Sequence, residues 1–323
     1  MQNQNSSPIH IKHWPTEIPL LILVALLSFV IWLALIVTVF GILYALILGV
    51  LFFVVHAAFV AHVRGNTVRI TAEQLPELHA AITNLANKFE FKKVPEAYLL
   101  QGGGVLNALA TKFLRSKMLI IYSKLLEACD DNTAARDMIL AHELGHIKAG
   151  HLRWHWFLIP GMLVPFVGKA LSRAREYTCD RYGLAGAGDM QGALLGLTIL
   201  AAGKKYASQV SREAMVKQIN SLNTGWMKIG EWSSTHPMLA KRMYALDPTL
   251  HQIETKSFRG ILSALCIIVI MIAFFVGIVM GFALLPSYVH KFLPHHMENR
   301  IENSMAPAVA PADSSGSGVE TIH

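Results

Sequence analysis

From Ile18 to Ala61 the chain carries no Asp, Glu, Lys or Arg, and His56 is the only strongly polar break. A backbone in hydrocarbon has to satisfy its own hydrogen bonds, so a run of this kind must be helical. It is about twice the ~20 residues that cross a bilayer. The run predicts two transmembrane helices, 18–38 and 41–62, reversing near Thr38–Gly41. A secretory signal peptide is the competing reading, but its apolar core is only ~7–15 residues long and ends at a small-residue cleavage site. Here the first apolar stretch runs straight into a second, which favours an anchor.

Composition agrees. Hydrophobic residues make up 53% of the 323 and charged residues only 15%, against ~25% charged in soluble domains. The formal charge of +7 suits the cytoplasmic face of an anionic membrane. No dense Lys/Arg block with interleaved aromatics occurs, so nucleic acid is not an expected partner. Two spans return the chain to its starting side. Arg64 and Arg69 follow at once, then Lys88, Lys92 and Lys93, while the turn between the spans is uncharged. The positive-inside rule then puts the following residues in the cytoplasm. Cys129, Cys179 and Cys266 are too few and too far apart for a disulfide framework, and no C-x-x-C occurs, as suits a reducing compartment.

The expected organisation is a polar segment 1–17, two spans within 18–63, a working domain 64–258, a third span 260–285 and a disordered tail 286–323. Lys256 and Arg259 flank the third apolar run, and the tail is rich in Ala, Pro, Ser and Gly. Its His290, His295 and His296 read as solvated residues. Within the domain, Thr71–Gln74 has the form of a capping box opening a helix to about Glu90. Ala97–Leu100, Val105–Thr111 and Met118–Tyr122 read as strands, with the glycine run 101–104 as a turn. That run lacks the spacing of a phosphate loop. Residues 154–168 are apolar but short and hold Pro160 and Pro165, so an interfacial or re-entrant segment is expected rather than a crossing. Ser172–Leu184 reads as a helix ended by glycines 183–188, and 190–222 as one or two more. The fold class is mainly α with a small β-sheet.

The chemistry concentrates in His142-Glu143-Leu144-Gly145-His146. Met138, Ile139, Leu140, Leu144 and Ile147 stripe a helix over Thr133–Gly150, with Asp131 or Asn132 as N-cap. Positions four apart differ by about 40° around a helix, so His142 and His146 project together and can hold one zinc ion. Glu143 lies about 100° round from His142, within reach of a water at the metal. A third ligand is needed. The pattern H-E-x-x-H-x-x-G-x-x-H fails, because Ala149 and Leu152 stand where glycine and histidine belong. A glutamate from a later helix is the other route. Glu176 is placed for it, and Asp180, four residues on, could hydrogen-bond a ligand imidazole. On spacing alone, Arg173–Arg181 reads equally well as a charge-laced surface helix.

Four separated segments resemble the HtpX and CAAX-prenyl-protease family of membrane zinc metallopeptidases, which are gluzincins. His142-Glu-Leu-Gly-His-Ile-Lys-Ala-Gly-His151 resembles its H-E-L-G-H-x-x-x-x-H segment, and Ser172–Arg181 its S-R-x-x-E-x-x-A-D helix. Thr235-His236-Pro237 with Arg242 resembles T-H-P-x-x-x-x-R, and Asn107-Ala108 with Ala110-Thr111 the N-A-x-A-T strand. The resemblance implies one zinc held by His142, His146 and Glu176, Glu143 as general base, and Asp180 behind the ligands. It places His236 and Arg242 at the oxyanion, and Asn107 and Ala108 on an edge strand that pairs with substrate. Thr235 and Pro237 also read simply as a helix start. Cys179 stands where the family has a small Ala, and reads as a packing thiol.

The implied molecule is an endopeptidase of a bacterial inner membrane, its catalytic domain cytoplasmic. Its partners would be the bilayer and misfolded or membrane-associated polypeptides. A processing protease for one lipidated substrate and a scaffold with structural zinc are the alternatives. A structural site, however, needs no adjacent base and prefers four ligands.

Overall fold

The computed structural model describes residues 11–101, 108–113, 116–129, 132–222, 224–250, 261–263, 265–267 and 269. The chain divides into two units, Met1–Ala264 and Leu265–His323. The expected third span lies outside the described residues except for 261–263, 265–267 and 269, which are helical. The expected tail lies wholly outside them.

Two apolar helices open the chain, α1 (Glu17–Val37) and α2 (Val39–Asn66), each long enough to cross a bilayer. They part at Thr38, whose extended backbone (φ −97°, ψ 117°) breaks the helical path. The large apolar side chains of both face outward, as lipid-facing residues do. The last turns of α2 behave differently. Val60 and Val63 are buried against Tyr98, Met118 and Ile120 of the sheet.

The sheet has four strands: β1 (Val68–Arg69), β2 (Glu96–Leu100), β3 (Ala108–Phe113) and β4 (Ser116–Tyr122). Their order is β1-β2-β4-β3, with β2 and β4 parallel and the outer pairs antiparallel. β3 is therefore an edge. Side chains alternate between the faces. Tyr98, Met118 and Ile120 meet α2, while Ala97, Leu119 and Ile121 turn toward α3 (Pro76–Lys88) and α5 (Thr133–Lys148).

The start of α3 differs from the expected capping box. Thr71 Oγ1 does accept from the Gln74 N–H at 3.1 Å, but this closes a separate turn. Leu75 then takes a left-handed conformation (φ 61°) and Pro76 is the first helical residue. A residue preceding proline is disfavoured in the helical region, so the helix cannot begin earlier.

After α4 (Ser123–Cys129), Asn132 caps α5 by accepting from the Ala135 N–H at 2.8 Å. Residues 155–163 form the short α6 (His155–Leu163), laid along α1. Then comes α7 (Val167–Ala187), which is longer than the sequence suggests. Its glycines do not end it until Gly188, at φ 80°. Gly186 instead admits α5: a Cβ there would lie 2.2 Å from Ala141 Cβ, and one on Gly145 2.9 Å from Tyr182 Cβ. The two helices thus approach with almost nothing between them.

A second cluster fills the far side of α5, joining Met138 to Leu194 and Leu197 of α8 (Met190–Ala207), Val216 of α9 (Arg212–Lys217) and Met243 of α11 (Leu239–Leu246). α10 (Gly225–Ser233) precedes α11. Thr235 is not its cap, because α11 begins only at Leu239 after an extended Met238.

Candidate metal centre

The close α5–α7 contact sets the site. His142 and His146 project from one face of α5, and Glu176 and Asp180, also one turn apart, project from α7. Glu176 Oε2 lies 3.4 Å from His142 Nε2, and Oε1 lies 3.4 Å from His146 Nε2. Zinc with ligand bonds of about 2.0–2.2 Å in tetrahedral array spaces its donors about 3.3–3.6 Å apart, so these three residues fit one ion. One ligand atom from each lies within 4.8 Å of the others.

The electrostatics favour a cation there. Burial works against charge on His142, but hydrogen bonds to Asp180 and Glu176 outweigh it and raise its pKa to about 9. Burial likewise opposes the Glu176 carboxylate, yet the two imidazoles hold its pKa well below the usual range. Surplus negative potential of this kind serves a metal as well as a proton.

Behind the ligands stands Arg242. It donates to Asp180 from Nε at 2.9 Å and from Nη2 at 2.5 Å, and Asp180 Oδ1 lies 3.1 Å from His142 Nδ1. Arg242 Nη1 is 3.8 Å from Glu176 Oε2. The guanidinium expected at an oxyanion is thus taken up by two carboxylates. His236 is 65% exposed at the side chain, with Nε2 3.6 Å from Glu176 Oε1.

His142, His146, Glu176, His236 and Arg242 line a cleft of about 680 Å³, with Asp180 buried behind them. Glu143, half-buried, is part of its wall, as are Ala108, Leu109 and Ala110 of the edge strand β3. Seven residues singled out in the sequence, namely His142, Glu143, His146, Glu176, Asp180, His236 and Arg242, therefore meet in one place. Ala108 opens β3 beside them, and Asn107 lies outside the described residues.

Sequence reasoning missed a second group, on the other side of His146. His151 Nδ1 is 3.0 Å from His146 Nδ1, and His151 Nε2 is 3.0 Å from Glu17 Oε1. Glu17 also accepts from the Thr178 hydroxyl of α7 and faces His13 Nδ1 at 3.0 Å. Burial drives the His151 pKa down to about 4 against the pull of Glu17. The segment before α1 is tied to α7 throughout. Trp14 stacks on Tyr177 at 4.6 Å and lies under Arg181, and its N–H donates to Thr178 Oγ1 at 2.8 Å. One signal was available: Glu17 is the last charge before the apolar run, an acid where Lys or Arg would ordinarily anchor a span.

The model of Peptidase family M48 matches residues 72–162 and 154–250. Plastoglobule-localized metallopeptidase 48, chloroplastic, of Arabidopsis thaliana is 27% identical over 218 residues, 60% of this chain and 62% of that protein. The chain thus spans less than two thirds of that relative. The crystal structure of S. mikatae Ste24p superposes with a TM-score of 0.42 and 17% identity, covering 71% of this chain and 62% of that one. Matched across more than half its length, the chain belongs to Peptidase family M48, a family of metallopeptidases.

Proposed function

We propose that this chain is a membrane-anchored zinc endopeptidase that cuts unfolded or membrane-associated polypeptides in protein quality control. The observation that carries this is the convergence of His142, His146 and Glu176 from two helices in one cleft, with Glu143 in the wall and an edge strand alongside. Held by those three residues, a zinc ion supplies Lewis acidity, polarising a peptide carbonyl and acidifying water.

The protein supplies the rest. Substrate adds as a further strand to β3, starting beside Ala108, so main-chain pairing positions it with little demand on side chains. Glu143 takes a proton from water and returns it to the leaving amine. His236, exposed at the cleft mouth, donates to the developing oxyanion. Arg242 acts as a positioning residue: it fixes Asp180, which fixes His142 through Nδ1.

The site faces the cytoplasm in this reading, on the charge asymmetry of Arg64 and Arg69 against the uncharged turn near Thr38. Exposed Trp154 and Trp156 on the short helix beside α1 set it at headgroup depth.

Glu143→Gln tests the assignment. It should retain zinc and fold while casein cleavage falls by about 10²- to 10⁴-fold; cleavage at the wild-type rate would remove Glu143 from the reaction.

A further inference from the structure

Two ligand imidazoles sit on α5, and each has a second ring nitrogen that needs a partner. For His142 that partner is Asp180, from within the domain. For His146 it lies elsewhere. His146 turns Nε2 toward Glu176 and Nδ1 toward His151. If Nε2 binds the ion, Nδ1 carries the hydrogen and donates to His151 Nδ1. The hydrogen of His151 is then on Nε2, which points at Glu17 Oε1. Every nitrogen in the series is a donor or an acceptor in one consistent arrangement, and it ends on a carboxylate.

We propose that Glu17, at the mouth of the first membrane helix, is a positioning residue for the metal ligand His146, acting through His151. This rests on the reading of His142, His146 and Glu176 as the ligands. The carboxylate is well built for the task. Its side chain is 3% exposed, and it is held by the Thr178 hydroxyl and by His13 as well as His151. Thr178 and Glu176 belong to the same helix, so the anchor of Glu17 and the third ligand move together. Cys179 Sγ lies 3.7 Å from the same His151 nitrogen that receives His146. A thiol there is too weak a partner to displace an imidazole donor.

The consequence is a metal centre assembled from two sources. One imidazole is oriented from within the domain and the other, through His151, by a carboxylate at the start of a membrane helix, 134 residues before His151 in sequence. Withdrawal of α1 from α7 would leave the zinc ligands in place but release His146 to rotate. Metal affinity, and not only stability, would then depend on Glu17 staying within hydrogen-bond reach of His151.

The test uses the full chain purified in detergent, with zinc affinity read by competition against a chelator of known strength. Glu17→Ala and His151→Ala should each weaken zinc binding roughly 10- to 100-fold, the range for partners of this kind. Glu17→Gln keeps an oxygen that accepts from His151 Nε2 and should recover most of the loss. Arg181→Ala is the control. It removes the bonds to the Lys12 and His13 carbonyls and the cation over Trp14, loosening α1 without touching the relay. It should lower the melting temperature and leave zinc affinity unchanged.

Wild-type affinity in His151→Ala overturns the proposal, as does an equal loss in Arg181→Ala, which would make seating of α1 the whole cause. Should Glu17→Ala fail to fold, His151→Ala decides. A Glu176→Ala variant separates the two levels. If it loses zinc while the relay variants keep it, only the relay fails; if it keeps full zinc, the ligand assignment itself is wrong.

Discussion

Two helix pairs that approach through glycine, α5 with α7 and α1 with α6, use the closeness differently. Between α5 and α7, Gly145 lets Tyr182 lie against the α5 backbone and Gly186 lets Ala141 lie against that of α7. The space gained goes to charge: two imidazoles, two carboxylates and a guanidinium, all paired. Between α1 and α6, Gly161 does the same, since a Cβ there would lie 2.3 Å from the Val24 carbonyl. The polar atoms at that contact are backbone. Pro160 interrupts α6, and α1 answers it: Ser28 Oγ accepts from the Gly161 N–H at 2.9 Å and donates to the Leu158 carbonyl at 3.2 Å. Trp32 Nε1 donates to the Phe157 carbonyl at 3.0 Å. In the first pair polar groups are what the contact exists to hold. In the second they repair a helix that proline has broken, as neighbouring helices do in membranes.

The largest expected difference follows from that. Arg242→Met leaves the buried Asp180 carboxylate without its guanidinium and with only the His142 imidazole beside it, which should cost about 3–5 kcal/mol in chemical denaturation. Adding Asp180→Asn should recover much of it, because the stranded charge goes. A loss in Arg242→Met no greater than that of any α1–α6 variant would erase the contrast.

Steric closeness ranks next. Gly186→Ala puts a Cβ against Ala141 Cβ, and overpacking of this kind costs about 1–3 kcal/mol. Ala141→Gly in the same chain should restore stability, giving a coupling measurable in a double-mutant cycle. Simple additivity of the two changes would mean that contact at this point does not limit how α5 and α7 pack. Ser28→Ala, in the other pair, removes two hydrogen bonds at about 0.5–1.5 kcal/mol each. A smaller effect would show that the α6 backbone finds other partners.

The same contrast explains what could be read in advance. His142 and His146 are legible because two imidazoles one helical turn apart are written in the spacing. Glu176 could be chosen only through the resemblance, since spacing alone left its helix equally readable as a charged surface. The two long apolar helices are legible because an uncharged run of that length has little other way to satisfy its backbone. Gly183 and Gly186 were mistaken for a helix end, since glycine by itself does not distinguish a stop from a close contact. The helix expected from Thr71 starts at Pro76 instead, because the Thr71 hydroxyl closes a turn of its own. Hidden altogether was the link from Glu17 to His151, which exists only once α1 lies on α7. No periodicity reports a contact of that sort.

A third contact gives the comparison a surface reference. Arg64, at the end of α2, donates to Glu96 of β2 at 3.1 Å, and the Tyr98 hydroxyl donates to the same oxygen at 3.1 Å. Partial burial pushes the Glu96 pKa up, but the Tyr98 hydroxyl and the Arg64 charge outweigh it, and the net shift is downward. A carboxylate whose pKa falls on folding stabilises the fold above its unfolded value and loses that contribution as pH drops through the folded one. Both side chains are partly exposed, so Arg64→Gln should cost less than about 1 kcal/mol at neutral pH. The difference from wild type should shrink in ~1 M salt and disappear as pH falls through the lowered folded pKa of Glu96, below which the carboxyl is protonated in both states. Arg242→Met should respond to salt far less, because its partner is shielded from solvent. Equal salt sensitivity in the two variants would mean that water reaches Asp180, and the division between an enclosed ionic centre and a solvated tether would fail.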